Sequence, residues 1–137
     1  MDKKDTYSIG AVGEEISAKY LERKGFHIMK MNYTKKWGEI DIIAQKKGKL
    51  YFFEVKSVSC ENIDLISREN RPEENVHTRK LKRLGRAIRS YLMEKKVSPE
   101  TNWQFDVLSV FIEFDTKRAK VRHLENIPLP EYPQYET

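Results

Sequence analysis

Hydrophobic and polar positions repeat with two different periods along this chain. Ile9, Gly13, Ile16, Tyr20 and Leu21 recur at helical spacing, and predict a first helix over about residues 9–24, with Ser8 as N-cap and Gly25 as its stop. The period then shortens. Residues 26–33 read as a strand of mixed alternation, residues 39–44 as a second strand and residues 50–57 as a third. Residues 34–37 connect the first two, and the polar stretch 45–49 around Gly48 marks a hairpin between the second and third. Leu81, Leu84, Gly85, Ile88, Tyr91 and Leu92 return to the helical period and predict a second helix over about 79–94, capped by Thr78. Residues 103–114 are apolar on both faces apart from Asp106, Ser109 and Glu113, which predicts a central strand. Residues 120–124 are more polar and suit an edge.

The order α-β-β-β-α-β-β predicts an α/β sandwich around a mixed central sheet flanked by helices, not a doubly wound fold. Residues 1–7 are polar and expected to fray. Residues 58–77 read as a long, mobile loop of the kind that often carries function. Pro128, Pro130 and Pro133 keep the end of the chain out of helix and ladder. The expected organisation is a single domain over 1–127 and a proline-containing tail over 128–137.

Composition narrows the class. At 137 residues and 39% hydrophobic, the chain can bury a core without disulfides. No apolar run is long enough for a membrane span. Met1-Asp2-Lys3-Lys4-Asp5 has no apolar stretch behind it, which argues against a secretory signal. Cys60 is the single cysteine, so neither an internal disulfide nor a cysteine-rich zinc site is expected, and the cytoplasm is the expected compartment. The net charge of +5 points weakly to a polyanionic partner.

The third strand carries the first candidate chemistry. With Lys47-Gly48 as a two-residue turn, Lys46 opposes Lys49, Ile43 opposes Phe52, Asp41 opposes Glu54 and Glu39 opposes Lys56. Asp41, Glu54 and Lys56 then share one face, with the two carboxylates about 5 Å apart at Cβ. Ile40, Ile42, Phe53 and Val55 form an apolar opposite face, so the charges sit at one end of a mostly buried hairpin. Opposed carboxylates repel unless one holds a proton or a cation bridges them, and a hard divalent metal suits such oxygen ligands. Lys56 could neutralise developing negative charge or position a water, the layout of metal-assisted phosphodiester cleavage. A solvated face on which Glu39 pairs with Lys56 is the alternative. On a helical wheel Glu14 borders the buried stripe, close to Ala18 and Leu21, and could reach a metal held by the hairpin; complementing the helix dipole is the alternative.

The second helix carries the charge. Between residues 79 and 96 there are eight cations against one acid, Glu94. Arg79, Lys82, Arg83, Arg86 and Arg89 gather opposite the apolar stripe without interleaved acids, which suits nucleic-acid phosphates better than a neutral solvated face. Lys80 lies off that stripe, toward the buried flank, and could face a catalytic cleft. His27, His77 and His123 are scattered without ligand spacing and read as structural. Trp37 could pack on a base or sugar, or simply in the core, and Asp106 reads as a structural partner.

Asp41 followed by Glu54-Val55-Lys56 resembles the D…(D/E)xK signature of the PD-(D/E)XK nuclease superfamily. The chain is most similar to the YraN family of uncharacterised bacterial proteins, related in fold to archaeal Holliday-junction resolvases. The resemblance rests on Gly13-Glu14-Glu15 with Ala18, Tyr20-Leu21 and Gly25; on Gly38-Glu39-Ile40-Asp41-Ile42-Ile43-Ala44; on Phe53-Glu54-Val55-Lys56; on Lys80 through Tyr91-Leu92; and on Phe105-Asp106-Val107. It implies a restriction-endonuclease-like αβββαβ core with Asp41, Glu54 and Lys56 as active residues, Glu14 as the helix-borne acid, and magnesium or manganese as cofactor. It also suggests a homodimer. Ile40 stands where the superfamily's proline would be, and the segment between Ser57 and Pro72 is long and lacks basic residues directly after the lysine.

The leading expectation is thus a metal-dependent nuclease acting on structured nucleic acid, DNA rather than RNA. A non-catalytic nucleic-acid-binding module of the same fold is the main alternative, and a structural protein with inert carboxylates the third.

Overall fold

The computed structural model describes residues 3–75 and 77–130, with the side chains of residues 3–8 and Asn75 left aside. The elements are α1 (Lys3–Arg23), β1 (His27–Lys35), β2 (Gly38–Lys46), β3 (Lys49–Ser59), α2 (Thr78–Glu94), β4 (Trp103–Glu113) and β5 (Arg118–Leu124). Their order is the expected one. Five strands form one mixed sheet in the order β1-β2-β3-β4-β5, antiparallel throughout except for the parallel β3–β4 pair. The parallel pair follows from α2, which carries the chain back across the sheet. β4 lies inside the sheet and β5 at its edge, as their apolar and polar patterns predict.

The first helix begins earlier than expected. It runs from Lys3, so Ser8 is an interior residue and not a cap, and residues 3–7, expected to fray, are helical. No glycine or proline stands between Lys3 and Ser8 to stop the helix from extending. Met1 and Asp2 lie outside the described residues. Gly25, at φ +92°, ends the helix, with the Phe26 N–H donating to the Leu21 carbonyl at 2.9 Å and the Gly25 N–H to Glu22 at 3.0 Å. Thr78 is the first residue of α2; His77 holds the cap position without a side-chain bond.

Two cores sandwich the sheet. Tyr33, Ile40, Ile43, Phe52 and Phe105 pack against Leu84, Ala87, Ile88 and Tyr91 of α2. Ile42, Ala44, Phe53 and Leu108 pack with Leu21 and Phe26 on the α1 side. Ile40, expected with Ile42 and Phe53, instead joins the α2-side core, at the end of β2 where β3 no longer pairs with it.

The described residues between 58 and 77 are not a loose loop. They include short 3-10 helices at Ile63–Leu65 and Pro72–Asn75 and are tied to β4 and β5. Arg122 donates to the Asn70 carbonyl at 2.5 Å, the Ser67 carbonyl at 2.8 Å and Glu73 Oε1 at 3.2 Å. Ser109 donates to Glu73 Oε2 at 2.7 Å, and the Ile63 N–H donates to Glu113 at 3.0 Å. The partners lie far along the chain, so local composition could not reveal them. Of the expected tail, residues 128–130 have no regular structure and 131–137 lie outside the described residues.

Candidate active site

The hairpin turns at Lys47-Gly48, both at positive φ, and pairs Lys46 with Lys49 in the expected register. The β2–β3 ladder runs only as far as Ile42↔Phe53. Beyond it the strands part, and Asp41 replaces a ladder partner with its side chain: Oδ2 accepts the Val55 N–H at 2.8 Å. Glu54 sits beside it, 3% exposed. Burial and the Glu54 charge, with a smaller push from Glu14, raise the Asp41 pKa from 3.8 to about 8, against the opposing Val55 N–H. Asp41 therefore holds a proton at neutral pH unless a cation takes its place.

Two lysines flank the pair. Lys80, in the first turn of α2, forms an ion pair with Glu54 Oε1. Lys56, two residues past Glu54 on β3, is half-buried. Its proton affinity is lowered by that burial and then by the Lys80 charge, with Glu54 and Asp41 pulling the other way. The alternative Glu39–Lys56 ion pair does not form among the described residues.

Glu14 reaches this region from α1 because the helix lies close on β3. A Cβ at Gly13 would stand 1.7 Å from Ser57 Oγ, so only glycine permits the approach. Glu14 has a raised pKa, from burial first and then from Glu39 and Glu54, against a lowering hydrogen bond from Asn32. With its nitrogen toward the acids, the Asn32 amide donates to Glu14 Oε1 at 3.0 Å and Glu39 Oε1 at 3.2 Å. In the other orientation it donates to Glu14 Oε2 at 3.3 Å. Asn32 sits at φ +53°, a conformation asparagine tolerates better than most residues. Glu14 thus belongs to the same electrostatic cluster as Asp41 and Glu54 without completing a close three-oxygen set with them. Among the described residues, the group of three whose donor atoms all lie within 4.8 Å is elsewhere: Asp106, His123 and Glu125.

That second group is structural at its centre. Buried Asp106 bonds His123 Nε2 at 2.7 Å and accepts from Gln104 and the Asn126 N–H at 2.8 Å, which ties the chain after β5 back to β4. This is the structural role expected of Asp106 and His123.

A cleft of about 1210 Å³ joins the carboxylates to the basic helix. Trp37, Glu39, Asp41 and Glu54 line one side, and Arg79, Lys80, Lys82, Arg83 and Arg86 the other. The Arg86 guanidinium lies 4.8 Å over the Trp37 ring, whose Nε1 donates to Ser90 at 2.9 Å. Gly38 brings the start of β2 against α2, since a Cβ there would meet the Arg83 carbonyl at 2.5 Å. Arg89, half-buried further along α2, is not among the lining residues.

Asp41, Glu54, Lys56 and Lys80 are therefore brought together, with Glu14 at the margin. Asn32 was missed, although an asparagine inside an alternating strand signals an unusual backbone conformation.

An αβββαβ core that splits at a D…ExK hairpin defines a restriction-endonuclease-like α/β protein. The chain belongs to the uncharacterised protein family UPF0102, whose profile matches residues 13–110, and which is the YraN family of the sequence resemblance. It is 35% identical over 119 residues to a UPF0102 protein of Alkaliphilus oremlandii, covering 86% of this chain and 95% of that one. It is 32% identical over 124 residues to one from Clostridium beijerinckii, covering 90% and 95%. A Flavobacterium psychrophilum relative is 35% identical over 118 residues, covering 86% and 91%. No helix among the described residues is long and apolar enough to cross a membrane.

Proposed function

We propose that this protein is a metal-dependent nuclease hydrolysing phosphodiester bonds in structured nucleic acid, DNA rather than RNA. The observation that carries the reading is half-buried Asp41 beside buried Glu54 at the sheet's fork, facing the arginines of α2 across one cleft. Two neighbouring carboxylates, one buried and one half-buried, need a proton or a cation between them, and an all-oxygen donor set suits magnesium or manganese. Asp41 and Glu54 would hold the ion, with Glu14 contributing from α1. When bound, such an ion supplies positive charge to the attacked phosphate and a more acidic water.

Lys56 adds a fixed cation beside the same carboxylates, where it would orient the attacking water or stabilise negative charge at phosphorus. Arg79, Lys82, Arg83 and Arg86 would hold phosphates along the cleft. Cys60 is a free thiol, in keeping with a cytoplasmic setting, and the resolvase resemblance favours a homodimer.

The test is a cleavage panel of junction, flap, duplex and single-stranded DNA, and RNA, with magnesium, with manganese and with chelator. Cleavage of DNA that chelator abolishes is the expected result. Salt-sensitive binding with no cleavage of any substrate would overturn the nuclease reading in favour of a non-catalytic nucleic-acid-binding module.

A further inference from the structure

The ion pair between Lys80 and Glu54 joins two unequal partners. The Glu54 side chain is 4% exposed and fixed on β3, while that of Lys80 is 44% exposed and carries its ammonium on a flexible four-carbon stem. Only Lys80 is free to leave. A second ammonium, that of Lys56, lies close enough to interact with Lys80 directly, so two cations crowd one buried carboxylate. Arg79, Lys82 and Arg83 flank Lys80 on the cleft wall and would draw a polyanion to it.

We propose that Lys80 is an exchangeable cation of the site: it neutralises Glu54 in the protein alone, and moves to a phosphate when nucleic acid enters the cleft, freeing Glu54 for the divalent ion. This rests on the nuclease reading above and deepens it. The two ligands then bind cooperatively, because each weakens the contact that opposes the other. Coupling of this kind is reciprocal: nucleic acid tightens metal binding by the same factor as metal tightens nucleic-acid binding. It gives the protein an order of assembly in which substrate recruits the ion.

A purely structural clamp between α2 and β3 makes different predictions, and Lys80 variants separate the two. Manganese titrated calorimetrically into full-length protein should bind about tenfold more tightly to Lys80→Met than to wild type. Lys80→Arg, whose guanidinium pairs with a carboxylate in a fixed fork, should bind it more weakly than wild type. Anisotropy with a DNA four-way junction, with and without calcium at matched ionic strength, should show coupling in wild type and little in Lys80→Met. Thermal unfolding of each variant establishes that it is folded. Equal or weaker manganese binding in Lys80→Met, or coupling that persists there, overturns the exchange. If wild type and both variants bind no manganese, the metal reading of the site fails as well, an outcome distinct from all of them binding it alike.

Discussion

Asp41 Oδ2 accepts the Val55 N–H at 2.8 Å at the point where β2 and β3 cease to pair. One carboxylate thereby closes a gap in the sheet and stands beside Glu54. Its raised pKa is the electrostatic cost of that position.

This cost makes stability depend on pH in a definite direction. The native state binds the Asp41 proton more tightly than the unfolded state, with a pKa raised from 3.8 to about 8. The unfolded state therefore holds fewer protons across that window, and the stability present below the unfolded pKa is lost as pH rises through the folded one. Asp41→Asn keeps an acceptor for Val55 and removes the charge. In chelator it should melt higher than wild type near pH 8, and the two should converge near pH 4. Thermal unfolding across that range measures the difference, and parallel curves would show that Asp41 does not titrate between the two states.

Lys56→Ala should slow single-turnover cleavage by about 10²–10³ while leaving most DNA affinity, since losing one preorganised charge costs about that much in rate. Many other cations hold the backbone. Single-turnover rates and binding isotherms, with Glu54→Ala in parallel, measure the two effects separately. Unchanged cleavage by Lys56→Ala would remove it from the chemistry.

Charge reversal at Arg83 and Arg86, both exposed on the cleft wall, should weaken binding to all sequences alike. If each contacts one phosphate, the slope of log affinity against log salt should fall by about 0.9 per residue lost. Titrations at several salt concentrations provide the slope. Equal slopes in variant and wild type would place the nucleic-acid surface elsewhere.

Gly13→Ala should destabilise the fold, although alanine is the better helix former. The added Cβ would meet Ser57 Oγ at 1.7 Å and Ser57 Cβ at 2.7 Å, so rotating the hydroxyl away does not relieve the clash. Overpacking of this kind costs about 1–3 kcal/mol, more than the roughly 1 kcal/mol gained in helix propensity. Chemical denaturation gives the sign, and a stabilised variant would mean that α1 can back away from β3 freely.

The sequence by itself determined the element order, the hairpin and the pairing of its faces. These are set by short-range physics: a period of two or 3.6, a turn that demands positive φ, and the register that a two-residue turn imposes on Ile43 and Phe52. It also brought Asp41, Glu54 and Lys56 onto one stretch of hairpin. The sequence misplaced the start of α1, since a polar segment without a breaker can still be helical, and the cap of α2, which falls on His77 and not Thr78.

What the tertiary structure decided were the contacts made between elements. The ladder stops at Ile42↔Phe53, Asp41 bonds Val55, and Ile40 turns to the α2 side. Asn32 reaches Glu14 across 18 residues, and Arg122 gathers Ser67, Asn70 and Glu73 across 55, 52 and 49 residues, closing a segment that reads locally as loop. The sequence sets Lys80 apart from the basic stripe and turns it toward a cleft, but that its ammonium meets Glu54 depends on α2 being docked by the close approach at Gly38. Periodicity specifies which face of an element is buried; which side chains then meet depends on how close the elements pack, and that distance is set by the whole core at once.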